Sequence, residues 1–215
     1  MRAATVALSL LLAAAVAAHA QDQFRLEVVV AGSLALRRSS VRVVTAELSG
    51  VALTVEAGGS AVIQTSWLLG GSHGVRNAGT AVITASTLEN LFSGRIQTDP
   101  GGTSYLQASV LSRAVNTGAI TSGCTGTAPT SLGWNHYAPF AYGCAVSPDD
   151  VFADGAVQPH PVNPYSPTFV GIDAIPVGVA GCEAGGADIG GNPRPVDGDG
   201  DGTAACDIGS VEYQP

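Results

Sequence analysis

Lysine is missing from this 215-residue chain: its nine basic residues are all arginines, set against 17 carboxylates, for a formal net charge of -8. A surface so poor in cations offers little to a phosphate backbone, which argues against nucleic acid and anionic membranes as partners. No cysteine precedes Cys124, and none of the four cysteines forms a Cys-x-x-Cys pair or has a histidine close by. A zinc centre therefore lacks its ligand spacing. After the first twenty residues no apolar run approaches the roughly 20 residues that a membrane-spanning helix needs. Helix-forming composition is also scarce. The chain has 28 glycines and frequent Ser, Thr and Val, which disfavour helix interiors and, for the β-branched residues, favour strands.

What is present begins with an export signal. Arg2 supplies a positive start, Ala7 to Ala18 an apolar stretch, and Ala18-His19-Ala20 a small-x-small cleavage site. Residues 1–20 are expected to be removed, leaving a soluble, extracytoplasmic chain from Gln21 with no transmembrane segment. Four cysteines in such a chain favour disulfides. Cys124, Cys144, Cys182 and Cys206 allow three pairings, of which neighbour pairing closes the shortest loops. The charge is unevenly spread: Gln21 to Cys144 is near neutral, whereas Ala145 onward carries eleven acids and one arginine.

Four segments align without gaps: GSLALRRSSV from Gly32, GSAVIQTSWL from Gly59, GTAVITASTL from Gly79 and GTSYLQASVL from Gly102. Their spacing of 20 to 27 residues suits one turn of a solenoid. Each opens with Gly and a hydroxyl residue. Then come an apolar residue (Leu36, Ile63, Ile83, Leu106), a serine (Ser39, Ser66, Ser86, Ser109) and a second apolar residue (Val41, Leu68, Leu88, Leu111). A single turn cannot bury its own apolar side, but turns stacked about 4.8 Å apart place like residues in columns. The two apolar columns are expected to form the core. The serines are expected at a corner, bonding to backbone, and each glycine where a Cβ would obstruct a sharp bend.

These units, with Gly74-Val75-Arg76-Asn77-Ala78-Gly79-Thr80-Ala81, resemble the coils of right-handed parallel β-helix proteins of the pectin-lyase-like class. SGCTGTAPTSLGWN from Ser122, YGC at Tyr142, SPTFVGIDAIP from Ser166 and RPVDGDGDGTAACDIGSVEY from Arg194 resemble the C-terminal part of bacterial secreted β-helix proteins with a choice-of-anchor Q type ending. The resemblance spans residues 58 to 215. It implies the neighbour disulfides Cys124–Cys144 and Cys182–Cys206. The chain departs from such relatives in having few coils and in stopping at Pro215, where a sorting segment usually follows.

Several groups could carry chemistry. Asp197, Asp199 and Asp201, followed by Gly202, match the start of a calcium loop, but its twelfth position holds Ile208 in place of the closing Glu. A solvated Gly-Asp turn is the simpler account. Gly70-Gly71-Ser72-His73-Gly74 fits the nucleophile-elbow pattern, without the following helix that motif needs. Arg37, Arg38 and Arg42 cluster as in some lyases, but Gln64, Thr65, Thr84 and Gln107 on the following coils are uncharged. Asp149, Asp150 and Asp154 are expected in a flexible acidic loop. His73, His136 and His160 stand without ligand spacing, and Trp67 and Trp134 are expected to pack, not to stack on sugar.

The expected fold is all-β: a short, single-stranded right-handed parallel β-helix. Residues 21–115 would form its coils, and residues 116–215 irregular coils and a disulfide-linked cap. The expected function is non-enzymatic, with polysaccharide or cell-surface glycan as the candidate partner and calcium as the candidate ion. The alternatives are a polysaccharide lyase or glycoside hydrolase of the same class, and a degenerate remnant of a longer surface protein.

Overall fold

A computed structural model of the chain describes residues 28–42, 50–69, 71–89, 94–112, 123–137, 143–152 and 170–215. The expected signal sequence, Gly70, Asp154 and His160 lie outside them. In the strand Ser60–Gln64, Ala61 and Ile63 are buried while Ser60, Val62 and Gln64 are not, and Thr80–Thr84 and Thr103–Gln107 alternate in the same way. That two-residue period gives each strand one apolar side. A strand of five residues cannot shield that side alone, so the copies stack in parallel.

Three parallel sheets result. The first runs through Val28–Val30, Val51–Val55, His73–Asn77, Gly94–Thr98 and Cys124–Gly126. The second takes Ser33–Arg37, Ser60–Gln64, Thr80–Thr84, Thr103–Gln107 and Thr130–Ser131. The third takes Ser40–Arg42, Trp67–Leu69, Thr87–Glu89, Val110–Leu111, His136–Tyr137 and Val151–Phe152. The molecule is an all-β parallel solenoid of about four turns, with shorter strands closing a fifth and no helix among the described residues. Leu36, Ile63, Ile83 and Leu106 pair in one file, and Val41, Leu68, Leu88 and Leu111 in another. Both files face the shared interior.

The serine corner works as a ladder. Ser39 N donates to Ser66 Oγ (3.2 Å), Ser66 N to Ser86 Oγ (3.1 Å) and Ser86 N to Ser109 Oγ (3.1 Å). Each hydroxyl in turn donates to the carbonyl two residues before it. The residue ahead of each serine has left-handed backbone: Arg38, Thr65, Ala85 and Ala108, at φ 46°, 47°, 47° and 53°. The bend is therefore made there. The glycines have a different task, since a Cβ on Gly59, Gly79 or Gly102 would lie 2.2–2.5 Å from a carbonyl oxygen of the preceding turn.

Residues 170–215 do not add parallel turns. They form an antiparallel ribbon of Gly186–Ala187 with Pro193–Arg194 and lie along the outside of the third and fourth turns. Gly209 N donates to Ala108 O (2.9 Å), and Ser210 Oγ lies 2.9 Å from Thr87 Oγ1. Ile175, Cys206, Ile208 and Val211 pack with Ala85, Ala108 and Val110 into a second apolar cluster. The disulfides join Cys124 to Cys144 and Cys182 to Cys206. Inside the segment, buried Arg194 donates to Gly209 O (2.8 Å) and Asp207 O and pairs with Glu212 (3.3 Å). Burial pushes Glu212 up to about 8 and Asp207 up to about 6, and Arg194 opposes both shifts.

Candidate functional site

The outer side of the second sheet carries three columns in register. Ser33, Ser60, Thr80 and Thr103 form a hydroxyl column, with Ser33 Oγ 3.0 Å from Ser60 Oγ. Ala35, Val62, Val82 and Tyr105 form an apolar column, and Arg37, Gln64, Thr84 and Gln107 a polar one. Within a strand the columns lie about 7 Å apart, and successive turns about 4.8 Å apart. Arg37, on the first turn, is the one charge in these three columns. The glycine positions border this face on one side and the serine corner on the other, and Gly181 of the C-terminal segment approaches Thr84 of the polar column.

The acidic loop makes a second candidate centre. Carboxylate oxygens of Asp173, Asp197 and Asp199 lie within 4.8 Å of one another. Asp201 is not in that group; its Oδ1 accepts from Thr203 N (2.7 Å). Asp197 accepts from Gly200 N and Gly202 N, and Asp199 from Asp201 N, which winds the loop. Asp173 Oδ2 accepts from Gly198 N and Asp199 N, both at 2.7 Å, while its buried Oδ1 has no hydrogen-bond partner. Burial raises the Asp173 pKa from its ordinary value. Its backbone donors pull it down, and the charges of Asp199 and Asp197 push it further up. Gly198 allows the approach, since a Cβ there would meet Ile172, Tyr213 and Asp173 at 3.0–3.4 Å. An all-oxygen set of three carboxylates suits a hard divalent cation. The third ligand comes from a distant segment, a residue the local pattern could not reveal.

Several of the remaining candidates have structural partners. Ser72 is buried and donates to Gly50 O (2.9 Å), with His73 Nδ1 3.2 Å away. The strand His73–Asn77 follows it, so the backbone of a nucleophile elbow is not formed. Burial, then Arg76, lowers the His73 pKa. Asp150 is held firmly: it accepts from Ser131 Oγ, Ser147 N and Asn135 N at 2.7–2.8 Å. Of the acidic group expected there, Asp149 and Asp150 are described and Asp154 lies outside the described residues. Asn135 occupies the serine position of the fifth turn and accepts from Ser109 N (3.1 Å), with Trp134 as its left-handed residue at φ 61°. His136 is fully buried, and burial lowers its pKa to about 4. Trp67 is 5% exposed and donates to Glu89 Oε2 (3.2 Å), and Trp134 packs against the second apolar cluster. Compared with family models, curated proteins and solved structures, the chain matches none.

Proposed function

We propose that the chain is an exported, non-catalytic solenoid that contacts polysaccharide or other cell-surface material through its side chains. The observation that carries this reading is the three-column outer face of the second sheet, on which hydroxyl, apolar and polar side chains repeat from turn to turn. A lyase or hydrolase would need paired acids, or acids with an arginine, on adjacent turns. The positions in register with Arg37 are Gln64, Thr84 and Gln107 instead. The disulfides are compatible with an oxidising compartment. Calcium enters this reading as a structural ion for Asp173, Asp197 and Asp199, supported by the partnerless Asp173 Oδ1.

The test is a glycan-array and depolymerisation screen of the purified chain from Gln21, with and without calcium. Retention of a glycan without product formation is expected. Release of shortened chains from any polymer would favour the enzymatic alternative, and failure to retain any glycan would remove the binding role.

A further inference from the structure

We infer that copies of the chain associate end to end, the first turn of one solenoid stacking on the last turn of the next. Val28–Val30, Ser33–Arg37 and Ser40–Arg42 are edge strands of the three sheets, and Val151–Phe152 is the edge strand at the far end of the third. Both ends leave core positions open among the described residues. On the first turn Leu34 and Leu36 are half-buried, whereas Ala61 and Ile63, their register partners, are at most 1% exposed. At the other end Phe152 continues the file of Val41, Leu68, Leu88, Leu111 and Tyr137. It stacks on Tyr137 with ring centroids 5.5 Å apart and is 51% exposed. A second copy in parallel register would set Val41 over Phe152 and prolong each column by one step of about 4.8 Å.

The serine corner specifies that register. Asn135 N donates to Asp150 Oδ1 (2.8 Å) and Val151 N to Asn135 O (2.7 Å), as Ser109 N does to Asn135 Oδ1 and His136 N to Ser109 O. Asp150 is thus the last member of the ladder that starts at Ser39. Ser66, Ser86 and Ser109 Oγ each accept from a backbone N–H of the preceding turn; Ser39 Oγ has no such donor among the described residues and is open to one from a preceding copy. Charge sets the polarity. Arg37 and Arg38 are exposed immediately before Ser39, and Asp149 is exposed immediately before Asp150. Stacked head to tail, the arginines of one copy lie one step from Asp149 of its neighbour. Head-to-head pairing would instead crowd four arginines together, and tail-to-tail pairing two Asp149 carboxylates, both repulsive. The chain has the same asymmetry at large, near neutral to Cys144 and then eleven acids against one arginine. Repeated along the solenoid axis, such a heterologous contact does not close, so the assembly lengthens with concentration.

Sedimentation velocity of the purified chain from Gln21, from micromolar to millimolar concentration, tests the inference. A series of oligomers that grows with concentration is expected. Arg38→Asp and Asp149→Arg, each first shown to melt like the parent, are each expected to weaken association at least tenfold. An equimolar mixture of the two variants, in which every end again meets an opposite charge, is expected to restore it. A monomer at every concentration would overturn the inference. So would a closed dimer that Arg38→Asp dissociates and Asp149→Arg leaves intact, since that would assign the contact to two first turns. Loss of association in both variants without rescue in the mixture would overturn the charge-paired register.

Discussion

Ser86 uses one hydroxyl twice: it accepts from Ser66 N in the preceding turn (3.1 Å) and donates to Thr84 O in its own (2.8 Å). It is fully buried, as is Ser66, so Ser66 N cannot turn to water. Ser86→Ala is therefore expected to destabilise the chain by about 1–3 kcal/mol in urea unfolding, the cost of stranding buried polar groups. Ser39, on the first turn, bonds through its hydroxyl to Arg37 O alone among the described residues and is half-exposed. Ser39→Ala should fall within about 0.5 kcal/mol of the parent. Equal losses from the two substitutions would mean that the hydroxyls do not act as a ladder. Gly79 is less forgiving, because a Cβ there would lie 2.2 Å from Gly59 O and 2.6 Å from Glu56 O, both backbone atoms. Gly79→Ala should therefore lower the yield of folded protein sharply, read by circular dichroism and solubility, although alanine is otherwise the mildest replacement.

Among elements, the third sheet differs from the other two because its outer side is covered. Thr87 meets Ser210, Val110 joins the second apolar cluster, and Trp67 donates to a Glu89 that is itself 2% exposed. Burial raises the Glu89 pKa to about 7, although the Trp67 hydrogen bond pulls it down. Its folded pKa lies above the ordinary value of 4.5. The protonated form is thus favoured by folding, and the stability it gives is greatest below pH 4.5 and lost as pH rises through 7. The parent should melt progressively lower between those values, with Asp207 and Glu212 acting in the same direction, and Glu89→Gln should make that dependence shallower and gain about 2–4 °C at pH 8 by calorimetry. An unchanged pH profile in the variant would exclude Glu89 as its source. The stacked strands were legible in the sequence because identical residues return at fixed offsets, so Ile63, Ile83 and Leu106 announce a column without any knowledge of distance. The fifth turn was hidden: Asn135 replaces the serine, and Gly133 together with Trp134 adds a residue to the bend. Asp173 was hidden for another reason. A lone aspartate in GIDAIP has no local pattern, and only the return of the chain brings it to Asp197.

At the scale of the whole molecule, the solenoid and the C-terminal segment are joined through side contacts, not further stacking. The segment has little regular structure and depends on a few cross-links: the Cys182–Cys206 bridge, the buried Arg194–Glu212 pair, and Asp207 Oδ1 accepting from Asp173 N (2.9 Å). Asp173 also anchors the loop at Gly198 and Asp199, so a cation held by Asp173, Asp197 and Asp199 would tie together parts of the segment that the bridge also connects. Binding only to the folded form stabilises it by about 1.4 kcal/mol at tenfold saturation, which for a chain of this size is about 3–6 °C in Tm. Calcium titration should accordingly give both heat and a rise in Tm. Asp173→Asn should abolish both, because it removes a charged ligand without changing shape. Asp201→Asn should preserve both, since that carboxylate stands outside the cluster. If Asp201→Asn abolished binding and Asp173→Asn did not, the ion would be held by the consecutive aspartates of the loop alone, and the cross-link between segments would not exist.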